Sequence, residues 1–349
     1  MHGECKVALL GFGGVNRGLV ELIIAHNSRH RTPTIKIVGV SDLLLGHCIN
    51  KSGLDCEMLL QVPAREGAFA VLGNAAPDNE GVISDSGCDV VVEATFSNVA
   101  TGEPGASLCE AALFAGKHVV TTNKGSVAHG ADRLSSVAAL MGRKFLYEGA
   151  VMSGTPVLVW ATDCFPGARV TRVRGILNGT TNFILGQMEM GFSFNAALEQ
   201  AQHLGYAEAD PAADVEGLDT RAKIIVLAKS VLGRSLSNSD VPCEGVKAIT
   251  SEMIAQAKAE GRRWKLVGDI NVEGDELLAK VGPVKLMPDD PLSGISSVTN
   301  ALELTIEPLG VTMVTGPGAG RVETAYAVLS DLLRIVGGLV REDEKTDAG

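Results

Sequence analysis

The chain has 349 residues, of which 41 are acidic and 30 basic, giving a net charge of −11 at pH 7 and a pI near 5.2. That length supports about two domains. The acidic balance leaves no basic stripe to neutralise phosphates, which excludes a nucleic-acid partner. No apolar run is long enough to span a bilayer and no secretory signal precedes the first strand-like run, so the expected compartment is the cytoplasm, with no membrane partner.

The N-terminal part alternates short β-branched runs with helical segments. KVALL (6–10) leads into GFGGVNRG and an amphipathic LVELIIAH; IKIVGV (35–40) ends at Ser41-Asp42; DVVVEAT (89–95) ends near Ser97-Asn98; KHVVTT (117–122) ends at Asn123-Lys124-Gly125; KFLYEG (144–149) closes the series. Continuous apolar strands separated by helices predict a parallel, doubly wound α/β sheet. After about residue 150 the elements lengthen. FNAALEQAQHLG (194–205) reads as a helix ending on a glycine. A second helix is expected from about Val215 to Leu232, with Asp214 as N-cap and Gly233 as its stop. TRVRGIL (171–177) and LLAKVGPVKL (277–286) read as strands of a second α/β domain. GPGAGRVETAYAVLSDLL, near Gly316, is a glycine loop entering a helix expected to return to the first domain, and the polar tail REDEKTDAG is expected to fray.

GFGGVN (11–16) follows a strand and opens a helix, the context that a dinucleotide-binding, Rossmann-type fingerprint requires. Gly11 permits the tight turn, and Gly13 lets the backbone approach a pyrophosphate lying on the helix N-terminus. Asn16 stands where the pattern has a third glycine, with Gly14 and Gly18 close by. The second strand ends at Asp42, whose carboxylate can accept from both ribose hydroxyls and repel a 2′-phosphate. Leu43, Leu44 and Leu45 follow, with no arginine among them, which favours NAD over NADP; Lys51 is the nearby cation able to serve a phosphate.

Lys124, in TTNKG (121–125), belongs at the carboxyl edge of the sheet, where ligands bind in such folds. Asp219 and Lys223 lie four apart on one helix face, ahead of the apolar run IIVLA (224–228). A solvated surface ion pair is the plain alternative, worth about 0.3–0.5 kcal/mol. Burial of the lysine stem would instead bring its pKa towards a value useful for proton transfer, with the aspartate orienting it. Upstream, Glu208, Asp210 and Asp214 concentrate acid suited to an ammonium-bearing substrate.

These residues resemble those of the homoserine dehydrogenase family, and the resemblance covers nearly the whole chain in the family's order. It runs through GFGGVNRG, EATFSNVATGEP, GKHVVTTNKG, YEGAVMSGTPV, ILNGTTNFIL, LGYAEADPAADVEGLDTRAK and GPGAGRVETA. NGTTN and GYAEADPxxDVEGLDxxxK are its most specific blocks. The resemblance implies reversible, nicotinamide-dependent interconversion of L-homoserine and L-aspartate 4-semialdehyde. It implies Lys223 as proton donor and acceptor, Lys124 touching cofactor and substrate, and Asp219 positioning Lys223. Glu208, Thr180, Tyr206 and Asp214 would hold the substrate; Gly11, Phe12, Gly13, Gly14, Val15, Asn16, Asp42, Thr95, Lys124 and Gly318 would hold NAD or NADP. A monovalent cation, sodium or potassium, would fall on Glu148, Val151, Ser153 and Thr155, although the family's glycine-rich stretch is here Val151-Met152-Ser153-Gly154. The implied domains are 1–149 with 310–349 for the dinucleotide, and 150–309 for substrate binding and homodimerisation. The chain ends before an ACT-type regulatory domain would fit, so feedback through one is not expected.

Two rivals use other chemistry. A phosphorylating semialdehyde dehydrogenase needs a thiolate, for which Cys109 and Cys164 are the candidates. A dinucleotide-sensing regulator would use the glycine loop and leave NGTTN and Asp219–Lys223 without a role. The seven cysteines (Cys5, Cys48, Cys56, Cys88, Cys109, Cys164 and Cys243) form no Cys-x-x-Cys pair and are expected as reduced thiols.

Overall fold

The computed structural model describes residues 3–29 and 32–346, with side chains to residue 337. It divides into two compact units, Met1–Ala150 with Gly320–Gly349, and Val151–Ala319.

In the first unit the strands are β1 (Glu4–Leu10), β2 (Thr34–Asp42), β3 (Gly46–Ile49), β4 (Asn74–Ala75), β5 (Val90–Glu93), β6 (His118–Thr121) and β7 (Phe145–Leu146). The helices among them are α1 (Gly14–Ser28), α2 (Cys56–Gln61), α3 (Asn79–Asp85), α4 (Gly105–Phe114) and α5 (Lys124–Leu140). The sheet order is β4-β3-β2-β1-β5-β6-β7. Strands β2, β1, β5, β6 and β7 run parallel. All five apolar runs are therefore strands of one parallel sheet, and their Val and Ile side chains are almost wholly shielded from solvent, as at Val7, Ile37, Val91 and Val120. The run at 144–149 supplies only two strand residues, because Glu148–Ala150 turn into a 3₁₀ segment. Strands β3 and β4 add an antiparallel edge; both are too short and polar to show a period in sequence.

Strand order reverses on either side of β1, so the chain leaves β1 and β5 in opposite directions and opens a crevice at their carboxyl ends. Gly11 is there for two reasons. Its φ of 78° is left-handed, and a Cβ would come within 2.5 Å of the Ala94 carbonyl oxygen. Asn16 replaces close glycine packing with hydrogen bonds: its fully buried side chain donates to the Gly11 carbonyl at 2.6 Å and closes the turn.

The second unit holds α6 (Val157–Asp163), α7 (Gly179–Glu189), α8 (Phe194–His203), α9 (Ala212–Val215), α10 (Leu218–Leu232) and α11 (Ser251–Ala259). They pack with a mostly antiparallel sheet of β8 (Arg169–Ile176), β9 (Arg263–Glu273), β10 (Glu276–Leu286), β11 (Thr299–Glu307) and β12 (Gly310–Pro317), in the order β10-β9-β8-β11-β12. Ile224 of α10 lies so close to Gly268 of β9 that a Cβ there would sit 2.6 Å from it. The glycine thus lets α10 press its Ile224–Ala228 stretch into the core.

Two expectations need correction. The helix expected from Val215 is broken: α9 ends at Val215, Gly217 takes a left-handed φ of 81°, and α10 starts at Leu218. Asp214 is accordingly no N-cap; it lies inside α9. The domain boundary expected at 310 falls at 319/320 instead, because β12 pairs with β11 along its length, from Ile306↔Gly310 to Thr299↔Pro317. The last helix, α12 (Arg321–Thr346), does belong to the first unit. Gly18 of α1 meets it closely, with room for a Cβ only 3.1 Å from the Ala325 Cβ. Its backbone continues into the polar tail to Thr346; residues 347–349 lie outside the described part.

Asp331 of α12 accepts the Glu148 backbone N–H at 2.9 Å in the interior of the first unit. Burial raises its carboxyl from 3.8 to about 6, against the opposing effects of that amide and Arg334. A raised folded-state pKa stabilises the fold fully below the unfolded value, and this contribution is lost as pH rises through about 6. Asp331→Asn keeps the acceptor and removes the charge. Thermal unfolding at about pH 7.5 should show the variant more stable, by up to about 3 kcal/mol, with the gain vanishing towards about pH 4. An equal or lower midpoint at the higher pH contradicts this.

Candidate functional site

In the first unit the carboxyl ends of β1, β2, β5 and β6 gather the sequence-predicted nucleotide residues other than Gly318. Gly13 stands at the N-cap of α1 with no side-chain cap, and nothing lies within 4 Å of where its Cβ would be. An uncapped helix start with open space above it leaves backbone N–H groups for an anion. Asp42 fastens this loop. Its Oδ2 accepts the Phe12 N–H at 3.0 Å, and its Oδ1 accepts from Leu44 at 3.0 Å and Leu45 at 3.1 Å. Burial acts to raise the Asp42 carboxyl, but the amides of Leu45, Phe12 and Leu44, with Arg17, outweigh it and hold it below the ordinary value. Asp42 therefore also forms a turn. Leu43 and Leu44 stand exposed beside it. The Arg17 guanidinium stacks 4.7 Å from the centroid of the Phe12 ring.

Lys124 is the first residue of α5, after the N-cap Asn123. Its loop is organised by Glu93, a residue that the sequence reading did not single out. Glu93 ends β5, is fully buried, and accepts from the Thr95 N–H at 2.9 Å, the Thr95 hydroxyl at 2.5 Å and the Thr121 hydroxyl at 2.6 Å. Asn123 also donates to it, at 3.4 Å. A carboxylate at the end of VVVE is the only hint of this in the sequence.

The second unit contains a tighter cluster. Lys223 and Asp219 are 5% and 8% exposed, and Nζ lies 2.8 Å from Asp219 Oδ2. A surface pair is therefore excluded. Nζ also donates to the Leu177 carbonyl at 2.5 Å. Asn178, the first residue of NGTTN, donates from Nδ2 to Asp214 Oδ1 at 2.6 Å and to Asp219 Oδ2 at 3.0 Å. Burial and then Asp219 push the Asp214 carboxyl up, opposed by hydrogen bonds from Asn178 and Thr180 and by Lys223. The break at Gly217 explains how this is possible: it turns α9 so that Asp214 faces the same asparagine as Asp219. Thr180 donates to the Tyr206 carbonyl at 2.6 Å, and the Tyr206 ring packs edge-on against Phe183. Glu208 is exposed, and its backbone carbonyl accepts from Gln202; none of the hydrogen bonds of the cluster involves its carboxylate.

The remaining expected residues are more scattered. Gly318 lies over the buried Asn300 side chain, which a Cβ at 318 would overlap. Glu148 belongs to the first unit, whereas Val151, Ser153 and Thr155 belong to the second. Met152 and Ser153 have left-handed φ values of 55° and 54°, and the Thr155 hydroxyl donates to the Pro317 carbonyl. Among the described residues no group of three or more His, Cys, Asp or Glu is arranged to hold a metal. A cavity of about 670 Å³ borders Glu189, Lys258 and Arg263 and shares no residue with the lysine cluster.

A glycine loop at the switch point of a parallel sheet, together with a buried lysine–carboxylate cluster in a second α/β unit, defines a nicotinamide-dinucleotide-dependent oxidoreductase. The chain belongs to the homoserine dehydrogenase family. The family models for homoserine dehydrogenase and for its NAD-binding domain match residues 156–333 and 11–148. An NAD(+)-dependent homoserine dehydrogenase of Pseudomonas canavaninivorans is 49% identical over 98% of this chain and 99% of its own length. The crystal structure of a homoserine dehydrogenase from Thiobacillus denitrificans superposes with a TM-score of 0.83 at 28% identity, over 96% of this chain and 74% of that one. A hyperthermophilic archaeal homoserine dehydrogenase in complex with NADPH gives 0.80 at 25% identity, over 95% and 97%.

Of the two thiolate candidates, Cys109 fails on position. Cys109 is fully buried, and burial, then Glu93 and Glu103, push its thiol well above the ordinary value. Cys164 is exposed, whereas Cys5, Cys48 and Cys88 are buried. Brief iodoacetamide treatment of the native protein should therefore label Cys164 and spare Cys5, Cys48, Cys88 and Cys109 until denaturant is added, as read by peptide mass spectrometry. Early labelling of Cys109 would reverse this assignment.

Proposed function

We propose that this chain interconverts L-homoserine and L-aspartate 4-semialdehyde by the division of labour that its two units suggest. The observation that carries the reading is the buried Lys223–Asp219 pair, joined through Asn178 to Asp214. Burial sets Lys223 apart from a solvated surface charge, and a lysine held in the interior beside an orienting carboxylate can carry a proton. When bound, the nicotinamide supplies or takes up the hydride at the carbon that bears the substrate oxygen.

The protein's residues handle the rest. In the oxidative direction Lys223, in its neutral form, takes the proton from the homoserine hydroxyl; in the reductive direction it returns that proton to the carbonyl oxygen. Asp219 orients Lys223. Glu208, exposed on its loop, supplies a carboxylate for the substrate ammonium group, alongside Thr180, the Tyr206 carbonyl and Asp214. Lys124 assists from the start of α5, touching cofactor and substrate. Gly11, Phe12, Gly13, Gly14, Val15 and Asn16 cradle the pyrophosphate, with Asp42 at the ribose and Thr95 and Gly318 nearer the nicotinamide. The family resemblance also implies a monovalent cation held by Glu148, Val151, Ser153 and Thr155. A homodimer formed through the second unit completes the proposal. One face of its sheet carries the exposed Leu278, Val311 and Met313 in rows that include Arg172 and Arg174.

NAD is the preferred cofactor. The anionic Asp42 disfavours a 2′-phosphate, the leucines after it offer that phosphate no partner, and the 49% identical relative is NAD(+)-dependent.

Lys223→Ala should lower kcat for homoserine oxidation by about 10²–10⁴; near-normal turnover in that variant sinks the lysine assignment. In the intact enzyme the oxidation rate should rise with pH, because only neutral Lys223 can accept the proton. Side-by-side assays at alkaline pH should give a kcat/KM with NAD at least about tenfold above that with NADP, a preference of about 1.4 kcal/mol. Asp42→Ser should narrow that ratio, and a ratio unchanged by the substitution removes Asp42 from cofactor selection.

A further inference from the structure

We propose that Asn178 is a positioning residue for proton transfer, its carboxamide setting the orientation of both Asp214 and Asp219 and through them of Lys223; this rests on the dehydrogenase reading above. No part of the sequence reading gave Asn178 a role of its own. The geometry assigns one through the orientation of its amide. The Thr181 backbone N–H lies 2.9 Å from Asn178 Oδ1 and can only donate, so that atom must be the oxygen. The Thr181 hydroxyl lies at the same distance from it. With Oδ1 held there, Nδ2 is turned towards the carboxylates, and its two hydrogens go to Asp214 Oδ1 and Asp219 Oδ2.

The support behind Asn178 is rigid. Gly179 lies so close to the chain at Val298 that a Cβ would come within 2.7 Å of that carbonyl oxygen. One turn on, Asn182 donates to the Thr299 carbonyl and accepts from the buried Lys265. The same β8–α7 corner presents the Leu177 carbonyl to Lys223 Nζ. Consecutive residues thus hold the lysine and its aspartate from one fixed point.

Asparagine fits this position because it is neutral and donates twice. Two buried carboxylates share it, and Asp219 already acts to push the Asp214 carboxyl up. A third carboxylate there would oppose both, whereas a shorter hydroxyl could cap α7 without reaching them. Serine and aspartate are both good N-caps, so substitution separates the capping role from the bridging role.

The test uses the full chain, with homoserine and NAD as the probes and Lys223→Ala assayed in parallel. Asn178→Ser should unfold near the wild-type temperature yet lose about 10²-fold in kcat, with KM for homoserine changed by no more than about threefold. Its solvent deuterium isotope effect on kcat should rise while that of homoserine deuterated at the hydroxyl-bearing carbon falls, because the proton step has become the slower one. Asn178→Asp, which keeps the shape and the cap, should lose more. Folded Asn178→Ser and Asn178→Asp proteins with wild-type kcat and isotope effects, beside an inactive Lys223→Ala, overturn the proposal and leave Asn178 as a helix cap. A fully active Lys223→Ala overturns the lysine reading itself, and the positioning role with it.

Discussion

The second unit is organised around one costly interaction, a lysine and an aspartate enclosed within an apolar helix. Removing two charges from water costs several kcal/mol per ion, and their attraction offsets this only where further hydrogen bonds satisfy the remaining donors and acceptors. Here the Leu177 carbonyl takes one Nζ hydrogen and Asn178 takes Asp219. The surrounding glycines follow from the same need. Gly268 admits Ile224 so that α10 can press against the sheet, Gly217 reverses the chain so that Asp214 arrives beside Asp219, and Gly179 lets the β8–α7 corner come close enough to supply the cap. Such a pair is weak evidence of stability for its own sake, but it is what a site needs if a lysine is to exchange a proton away from bulk water.

The first unit solves a different problem with neutral groups. Its sheet is buried on both faces and carries Val and Ile almost without interruption, so polar atoms gather at the strand ends. Asp42 and Glu93 are the two exceptions that order those ends. Asp42 ties three backbone amides at the exit of β2, and Glu93 ties two threonines and an asparagine at the exits of β5 and β6. The helix start at Gly13 has no side-chain cap, as is also true of α4, α6, α9 and α10, and open space lies above it. Its free backbone N–H groups are what a helix N-terminus offers an anion.

Much of this was legible along the chain because the signals are local. Five apolar runs separated by helical segments specify a parallel sheet whatever their neighbours. GFGGVN after a strand specifies its turn, and the four-residue interval of Asp219 and Lys223 puts them on one face of a helix. The misreadings have equally physical causes. Asp214 looked like an N-cap because it precedes an apolar stretch, but a left-handed glycine three residues later ends that possibility. Residues 310–319 looked like the approach to the last helix, whereas their backbone completes a ladder with a strand that begins eleven residues before Gly310.

By itself the sequence determined the parallel sheet, the nucleotide turn, the helical pairing of Asp219 with Lys223 and the resemblance that named the family. These follow from periodicity, from the conformational freedom of particular glycines and from motif spacing, all properties of short segments. Only the tertiary structure decided that Lys223 is buried rather than solvated, that Glu93 holds Thr95 and Thr121, and that Asn178 bridges Asp214 and Asp219. Each of those depends on partners 28 to 46 residues away in the chain, or on burial by them, except for the local contact of Glu93 with Thr95. Burial and long-range hydrogen bonding arise when separate elements pack, and no local pattern encodes which distant group a polar side chain will meet.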